Sequence, residues 1–250
     1  MRANECSTLR ELMSAWKSKD PFPARYIREK ENHEIMIDHQ RNFFVSDGIV
    51  DEMIWNDLPY NKRVLFILKE AYDTREVKQE WSLTEHLKSR GPYANIWYRV
   101  CEWTYGIMTT TSDHIEPYSD WNAMRTSDVL RKISVMNIKK SDGLNSSKQE
   151  EISAYADADA EEIIREIVLI DPYIVICGST FADINRITGN QITGAELPGT
   201  YAYTDIIGGK ERLFVNFYHP ANHFPSFMNY YGMAGVYQQA LNDKLRIDMK

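Results

Sequence analysis

The sequence predicts an α/β protein: a three-layer α/β/α arrangement around a mainly parallel central sheet of about four strands. Two observations carry this. Short continuous apolar runs stop abruptly at polar residues, as in Val64-Leu-Phe-Ile-Leu68 before Lys69 and Glu70, the pattern of strands buried on both faces. Between those runs lie segments with apolar residues at helical spacing, and strands alternating with helices argue for a parallel sheet covered on both sides.

The elements follow in order. Leu9, Leu12, Met13 and Trp16 predict a helix within residues 1–20, ended by Asp20-Pro-Phe-Pro23 because proline cannot continue it. Tyr26 to Asp57 is mixed, with a turn signal at Ser46-Asp-Gly48, and reads as an irregular cap. The first sheet strand is Val64–Leu68. Residues 76–112 read as a helical region interrupted at Gly91-Pro92, with a second helix from Asn95 to Met108. Ser119–Leu130 reads as a further helix, with Thr126-Ser127 near its end. Ile133–Ile138 is the next strand. Glu150–Ile170 reads as one helix with an acidic outer face, closed by Asp171-Pro172. Tyr173–Cys177 is a strand, and Thr180 is expected to cap the helix Phe181–Ile187. Gly199–Ile207 pairs as a hairpin with Leu213–Phe217, and the tail is helical from about Ser226 to Leu245. The whole chain, 1–250, reads as one domain, with 1–60 an N-terminal cap and about 75–128 a helical, aromatic-rich insert.

Composition narrows the function. A formal charge of −7 does not favour a generic nucleic-acid coat or an anionic membrane partner. No apolar run approaches the length of a membrane span, and the first residues lack the apolar core of a signal peptide, so the expectation is a soluble, cytoplasmic protein. Cys6, Cys101 and Cys177 are far apart and form no CxxC pair, which argues against a cysteine-built zinc or iron–sulfur site. Cys177, inside an apolar run, reads as inert core.

Each strand ends in chemistry-bearing residues: Lys69, Glu70 and Asp73; Asn137, Lys139 and Lys140; Ser179 and Thr180; His219, Asn222 and His223. In a parallel sheet those ends share one edge, where ligands bind. A carboxylate can orient water or face positive charge. An amide can read paired donors and acceptors. Lysines and a helix start suit an anion, and a histidine can donate to a developing oxyanion. The bland alternatives are solvated loop carboxylates, a solvated lysine pair, an ordinary strand-to-helix turn at Gly178-Ser-Thr and a structural corner at His219-Pro220. A serine hydrolase built on Ser179 is the weakest option, since Cys177-Gly-Ser-Thr180 lacks the flanking glycines of a nucleophile elbow.

The order of these motifs resembles the uracil-DNA glycosylase superfamily, especially its compact bacterial and archaeal branch, over residues 62–240. That branch has a strand ending in Gly-Glu-Ala-Pro-Gly, where Phe66-Ile-Leu-Lys-Glu-Ala-Tyr-Asp73 stands here. Its Asn-x-x-Lys is matched by Asn137-Ile-Lys-Lys140. Its acidic helix, Pro, apolar strand and Leu-Gly-x-x-Ala are similar to Ile170-Asp-Pro through Ala182, and its His-Pro-Ser to His219-Pro-Ala221. The resemblance implies cleavage of the N-glycosidic bond of a flipped uracil or another damaged base in DNA. It implies that Glu70, or Asp73 as a shifted substitute, orients water and stabilises the sugar cation. Asn137 binds the base edge, His219 stabilises the departing base, and Tyr72 or another aromatic stacks on it. Lys69, Lys140, Ser179 and Asn222 complete the substrate-binding set, and no metal or organic cofactor is required. The chain departs from the pattern at Lys69, Tyr72, Asp73 and Ala221, lacks the cluster cysteines, and carries the insert.

Two other readings compete. One is a non-repair member of the fold that binds a nucleotide or nucleoside; Lys69 beside Glu70 favours it, since an ion pair there occupies the carboxylate. The other is an interaction protein with a degenerate crevice, which predicts that Trp81, Trp97 and Trp103 are exposed.

Overall fold

The apolar runs form strands, and their alternation builds two cores. A computed structural model of the protein describes residues 2–28, 31–72, 79–118, 121–143 and 146–249. In chain order the first elements are α1 (Leu9–Lys17), the strands β1 (Phe22–Arg28) and β2 (Glu31–Ile37), the two-residue strands β3 (Val45–Ser46) and β4 (Gly48–Ile49), and α2 (Glu52–Asp57). Then come β5 (Val64–Tyr72), β6 (Trp81–Ser82), α3 (Leu83–Arg90), α4 (Asn95–Thr109), the single turns α5 (Trp121–Met124) and α6 (Ser127–Leu130), and β7 (Ile133–Gly143). The last are α7 (Gln149–Ala158), α8 (Ala160–Ile170), β8 (Ile174–Gly178), α9 (Phe181–Ile187), β9 (Thr200–Thr204), β10 (Arg212–Phe217) and α10 (Ser226–Asp248).

Among the described residues the main sheet has six strands in the order β4-β7-β5-β8-β10-β9. The central four are mutually parallel, and β4 and β9 close the edges antiparallel. The sheet is therefore mixed and wider than the four strands expected. A two-residue edge strand leaves almost no periodic signal. Residues alternate between faces. Leu65, Ile67, Met136, Ile138, Val175, Cys177 and Phe214 pack with α1, α7, α8 and α9. Val64, Phe66, Leu68, Ile133, Val135, Ile174, Ile176, Leu213, Val215 and Phe217 pack with α3, α4, α6 and α10.

Several local expectations change. Residues 22–28 and 31–37 form a regular antiparallel strand pair rather than an irregular cap, with Arg25 facing Glu34 and Tyr26 facing His33. Its charged composition hides the strand pattern, because much of it faces solvent. The predicted helix 150–170 is two helices, broken at Asp159. That carboxylate is fully buried and takes Lys19 Nζ at 2.8 Å and His39 Nε2 at 3.0 Å. Thr126 starts α6 rather than ending a longer helix, its hydroxyl accepting from Val129 N–H at 3.2 Å. Thr180 precedes α9 but makes no side-chain cap; its hydroxyl donates to Ile67 O at 2.9 Å, stitching β5 to the strand-to-helix turn. Asp73, residues 75–78 of the insert and Ser119 lie outside the described residues.

The sheet is tight where β5 meets the end of β7. A Cβ on Gly143 would sit 2.6 Å from the Ala71 carbonyl oxygen and 2.8 Å from Glu70 Cγ. Main chain there cannot retreat without breaking the ladder. Gly143→Ala is therefore expected to cost about 1–3 kcal/mol, the usual penalty of overpacking, read as a lower urea midpoint with an unchanged slope.

Candidate functional site

The same alternation that fills the second core carries three polar residues beyond it. On β5, Val64, Phe66 and Leu68 face the α3–α4 side, and Glu70 is the next position on that face. On β7, Ile133 and Val135 are followed by Asn137. On β10, Leu213, Val215 and Phe217 are followed by His219, just past the strand. Parallel register brings the strand ends level, with Leu68 opposite Asn137, Glu70 opposite Lys139, and Phe217 opposite Gly178. Glu70, Asn137 and His219 all line one cavity of about 830 Å³. Leu68, Tyr72 and Ala221 share its floor and rim. The insert supplies the opposite wall, with Trp81, His86, Arg90, Tyr93 and Trp97.

Glu70 is held on one side only. Its Oε2 accepts from Lys139 Nζ at 2.9 Å, and the side chain is 2% exposed. Oε1 is buried with no hydrogen-bond partner among the described residues. The expected neighbour, Lys69, is not the partner; Lys139 reaches across from the paired strand and also binds Glu151 at 2.8 Å. Burial alone would favour the neutral amine, but the two carboxylates outweigh it and raise the Lys139 pKa, so the ammonium is a fixed charge behind Glu70. A buried carboxylate oxygen without a donor is costly unless a ligand or water supplies one.

Asn137 is oriented by Asp47. That carboxylate accepts from the Asn137 main-chain N–H at 2.7 Å and from Nδ2 at 3.3 Å, leaving Oδ1 and the second Nδ2 proton for other partners. Asp47 is held in turn by Lys140 Nζ, which also donates to Glu166 at 2.7 Å. Lys140, Asp47 and Glu166 have fully buried side chains. The sequence suggests Lys140 as a substrate contact; it instead lies on the face of Met136 and Ile138, over the Trp16 ring, and lies outside the cavity lining. The strand continues to Gly143, past the lysine pair, so alternation turns Lys140 into the first core.

His219 sits between two tethers. Ser179 Oγ accepts its main-chain N–H at 2.9 Å, and Nδ1 accepts from Ala221 N–H at 3.2 Å. An accepting Nδ1 places the imidazole proton on Nε2. Burial, and then the positive charge of Lys69, push its pKa down to about 4, so at neutral pH it is an uncharged donor. Ser179, an expected ligand contact, serves here as this backbone anchor, with φ +58° at its position, and it lies outside the cavity lining. Lys69 likewise does not line the cavity and acts on it through charge. Asn222 is committed to its own loop: Nδ2 donates to His219 O and Asn229 Oδ1, and Oδ1 accepts from Phe224 N–H and Asn229 Nδ2. It is a structural corner rather than a ligand contact.

The aromatic wall has no sequence signature that marks it as part of a site. Trp97 and Trp103 are buried and Trp81 half-buried, so the exposed surface expected of an interaction protein is not formed by them. His86 contacts Trp81 and Tyr93 edge-on, at 5.6 and 5.1 Å between ring centres, and the Arg90 guanidinium lies 4.5 Å over Tyr93. All three cysteines are buried, and burial pushes the Cys101 and Cys177 thiols up to about 12, which leaves them unreactive.

Among the described residues no group of three or more His, Cys, Asp or Glu side chains is arranged to hold a metal ion, and no helix is long and apolar enough to cross a membrane. No family model matches the chain, and no curated protein is similar to it. Fold and site together define an α/β protein with a crevice at the carboxyl edge of its parallel strands, walled by an aromatic helical segment.

Proposed function

We propose that the crevice binds a nucleobase and that the protein hydrolyses an N-glycosidic bond, as a divergent relative of the uracil-DNA glycosylases within a three-layer α/β/α domain. The observation that carries this is the convergence of Glu70, Asn137 and His219, from three different strands, on one aromatic-walled cavity. In this reading the Glu70 carboxylate, which lines the cavity, orients the water and faces the sugar as it gains positive charge. Asn137 meets the base edge and aromatic rings flank the base. The C–N bond breaks with its electrons going to the base, and His219 Nε2–H stabilises the resulting anion. Water supplies the new C–O bond and gives up a proton as it adds, and the departing base anion takes up a proton from solvent. The two separate apolar clusters, one on each sheet face, support the layered arrangement. The working compartment in this reading is the cytoplasm.

A second reading, a free nucleotide or nucleoside as ligand, is favoured by the net charge of −7, which opposes a long phosphate backbone, and by a cavity in the size range of whole small-molecule ligands rather than a lone ring. One experiment separates the two. Purified protein is incubated with oligonucleotides carrying uracil and other damaged bases, and released base is quantified by chromatography. Thermal unfolding is followed in parallel with nucleosides and mononucleotides. Base release that falls on the order of 10²–10⁴-fold in Glu70→Gln supports the glycosylase. Stabilisation by a mononucleotide without release supports the second reading. Neither release nor stabilisation across both panels removes the nucleobase assignment.

A further inference from the structure

Between Phe217 and Ser226 the chain makes a tight corner, in which Asn222 N–H and Nδ2 both donate to the His219 carbonyl, at 2.9 and 2.8 Å. Three of the following carbonyls converge on one guanidinium. Arg99 Nη1 donates to Pro220 O at 2.9 Å and to Asn222 O, and Nη2 donates to Phe224 O at 3.1 Å. Arg99 is buried and lies on α4, two residues after Trp97, whose ring walls the cavity. A planar guanidinium with five donors can serve several carbonyls at once.

The Pro220 carbonyl and the Ala221 N–H are the two ends of a single rigid peptide plane. Arg99 holds one end, and the other end donates to His219 Nδ1 at 3.2 Å. A cation on the carbonyl polarises the amide and strengthens the N–H as a donor. We propose that Arg99 is the positioning residue of the site: through the Pro220–Ala221 peptide it fixes the His219 ring and its Nε2–H tautomer. The helical insert thus shapes the site by a clamp as well as by a wall. Arg99 does not line the cavity, and the role goes beyond the base-cleavage reading because it is the same for whichever ligand meets His219.

The test reads the imidazole directly. Long-range ¹H–¹⁵N spectra of the six histidines are recorded for the wild type, Arg99→Met and Arg99→Lys, with His219 assigned by its loss in His219→Gln. The wild type is expected to show a single Nε2–H tautomer. Arg99→Met is expected to show a tautomer mixture, with the titration midpoint rising by at least about one pH unit toward the ordinary histidine value near 6.5. Arg99→Lys keeps the charge but cannot span three carbonyls, and His219 in that variant is expected to fall between the two. A folded Arg99→Met protein with an unmoved tautomer and midpoint overturns the proposal. If that variant does not fold, an unmoved His219 in Arg99→Lys overturns it equally. Absence of base release in the separate assay leaves these spectra readable, so the two readings fail independently.

Discussion

Lys140→Met is expected to lower folding stability by about 3–5 kcal/mol in urea unfolding at neutral pH, the range for removing one partner of a buried charge pair. The lysine head lies between Asp47 and Glu166 with no solvent access to any of the three side chains. Burial is the largest influence on Glu166 and raises its pKa well above the carboxylate range, while the two carboxylates outweigh burial at Lys140 and keep it charged. Burial thus works against a charge on Glu166, while Lys140 is held between it and Asp47. Methionine fits the volume but strands the Asp47 charge in an apolar core. The double variant Asp47→Asn with Lys140→Met removes both charges and keeps an acceptor for the Asn137 N–H, so its loss should be well below the sum of the single losses. A loss under about 1 kcal/mol for Lys140→Met, the level of an exposed ion pair, is incompatible with the buried arrangement.

That cluster also shows where reading the sequence succeeds and where it stops. Val64–Leu68 and Tyr173–Cys177 are legible because a central parallel strand is apolar on both faces. The polar residues beyond them, Glu70, Asn137 and His219, are legible as candidates because the strand ends of such sheets share an edge. Partners across the sheet are not. Lys139 is 69 positions from Glu70 in the chain, and only the β5–β7 register places it there, so adjacent Lys69 looks like the partner instead. Asp47 sits in a Ser-Asp-Gly sequence that reads as a plain turn, yet it lies 90 positions from the amide it orients. Lys139 and Lys140 look like one solvated pair; alternation along a strand longer than its apolar run separates them into different surroundings. The aromatic insert has helical spacing that signals core, and its helices do pack as core. Which of its rings also face a cavity depends on the tertiary contact with β5 and the His219 corner.

His219 carries the other large effect, in both activity and folding. As a neutral Nε2–H donor to a developing anion, it is worth on the order of 10²–10³-fold in turnover, the expected loss in His219→Ala against whichever base substrate is cleaved. Its own protonation gives no acid limb near pH 6–7, because the folded-state pKa of about 4 keeps it neutral throughout that range. The linkage to stability has a defined sign. The folded-state pKa lies below the unfolded value near 6.5, so between those values the unfolded chain binds the proton more tightly. Stability therefore falls as the pH drops through that window and is fully present above it. Between pH 7 and 4.5 the contribution is about 2–3 kcal/mol by the same linkage. His219→Gln, which retains a donor and cannot titrate, should lose less stability over this interval than the wild type by about that amount. Urea unfolding of both proteins at the two pH values measures the difference directly. Equal losses would mean that His219 titrates normally in the folded protein, and the neutral donor in the crevice would have to be abandoned.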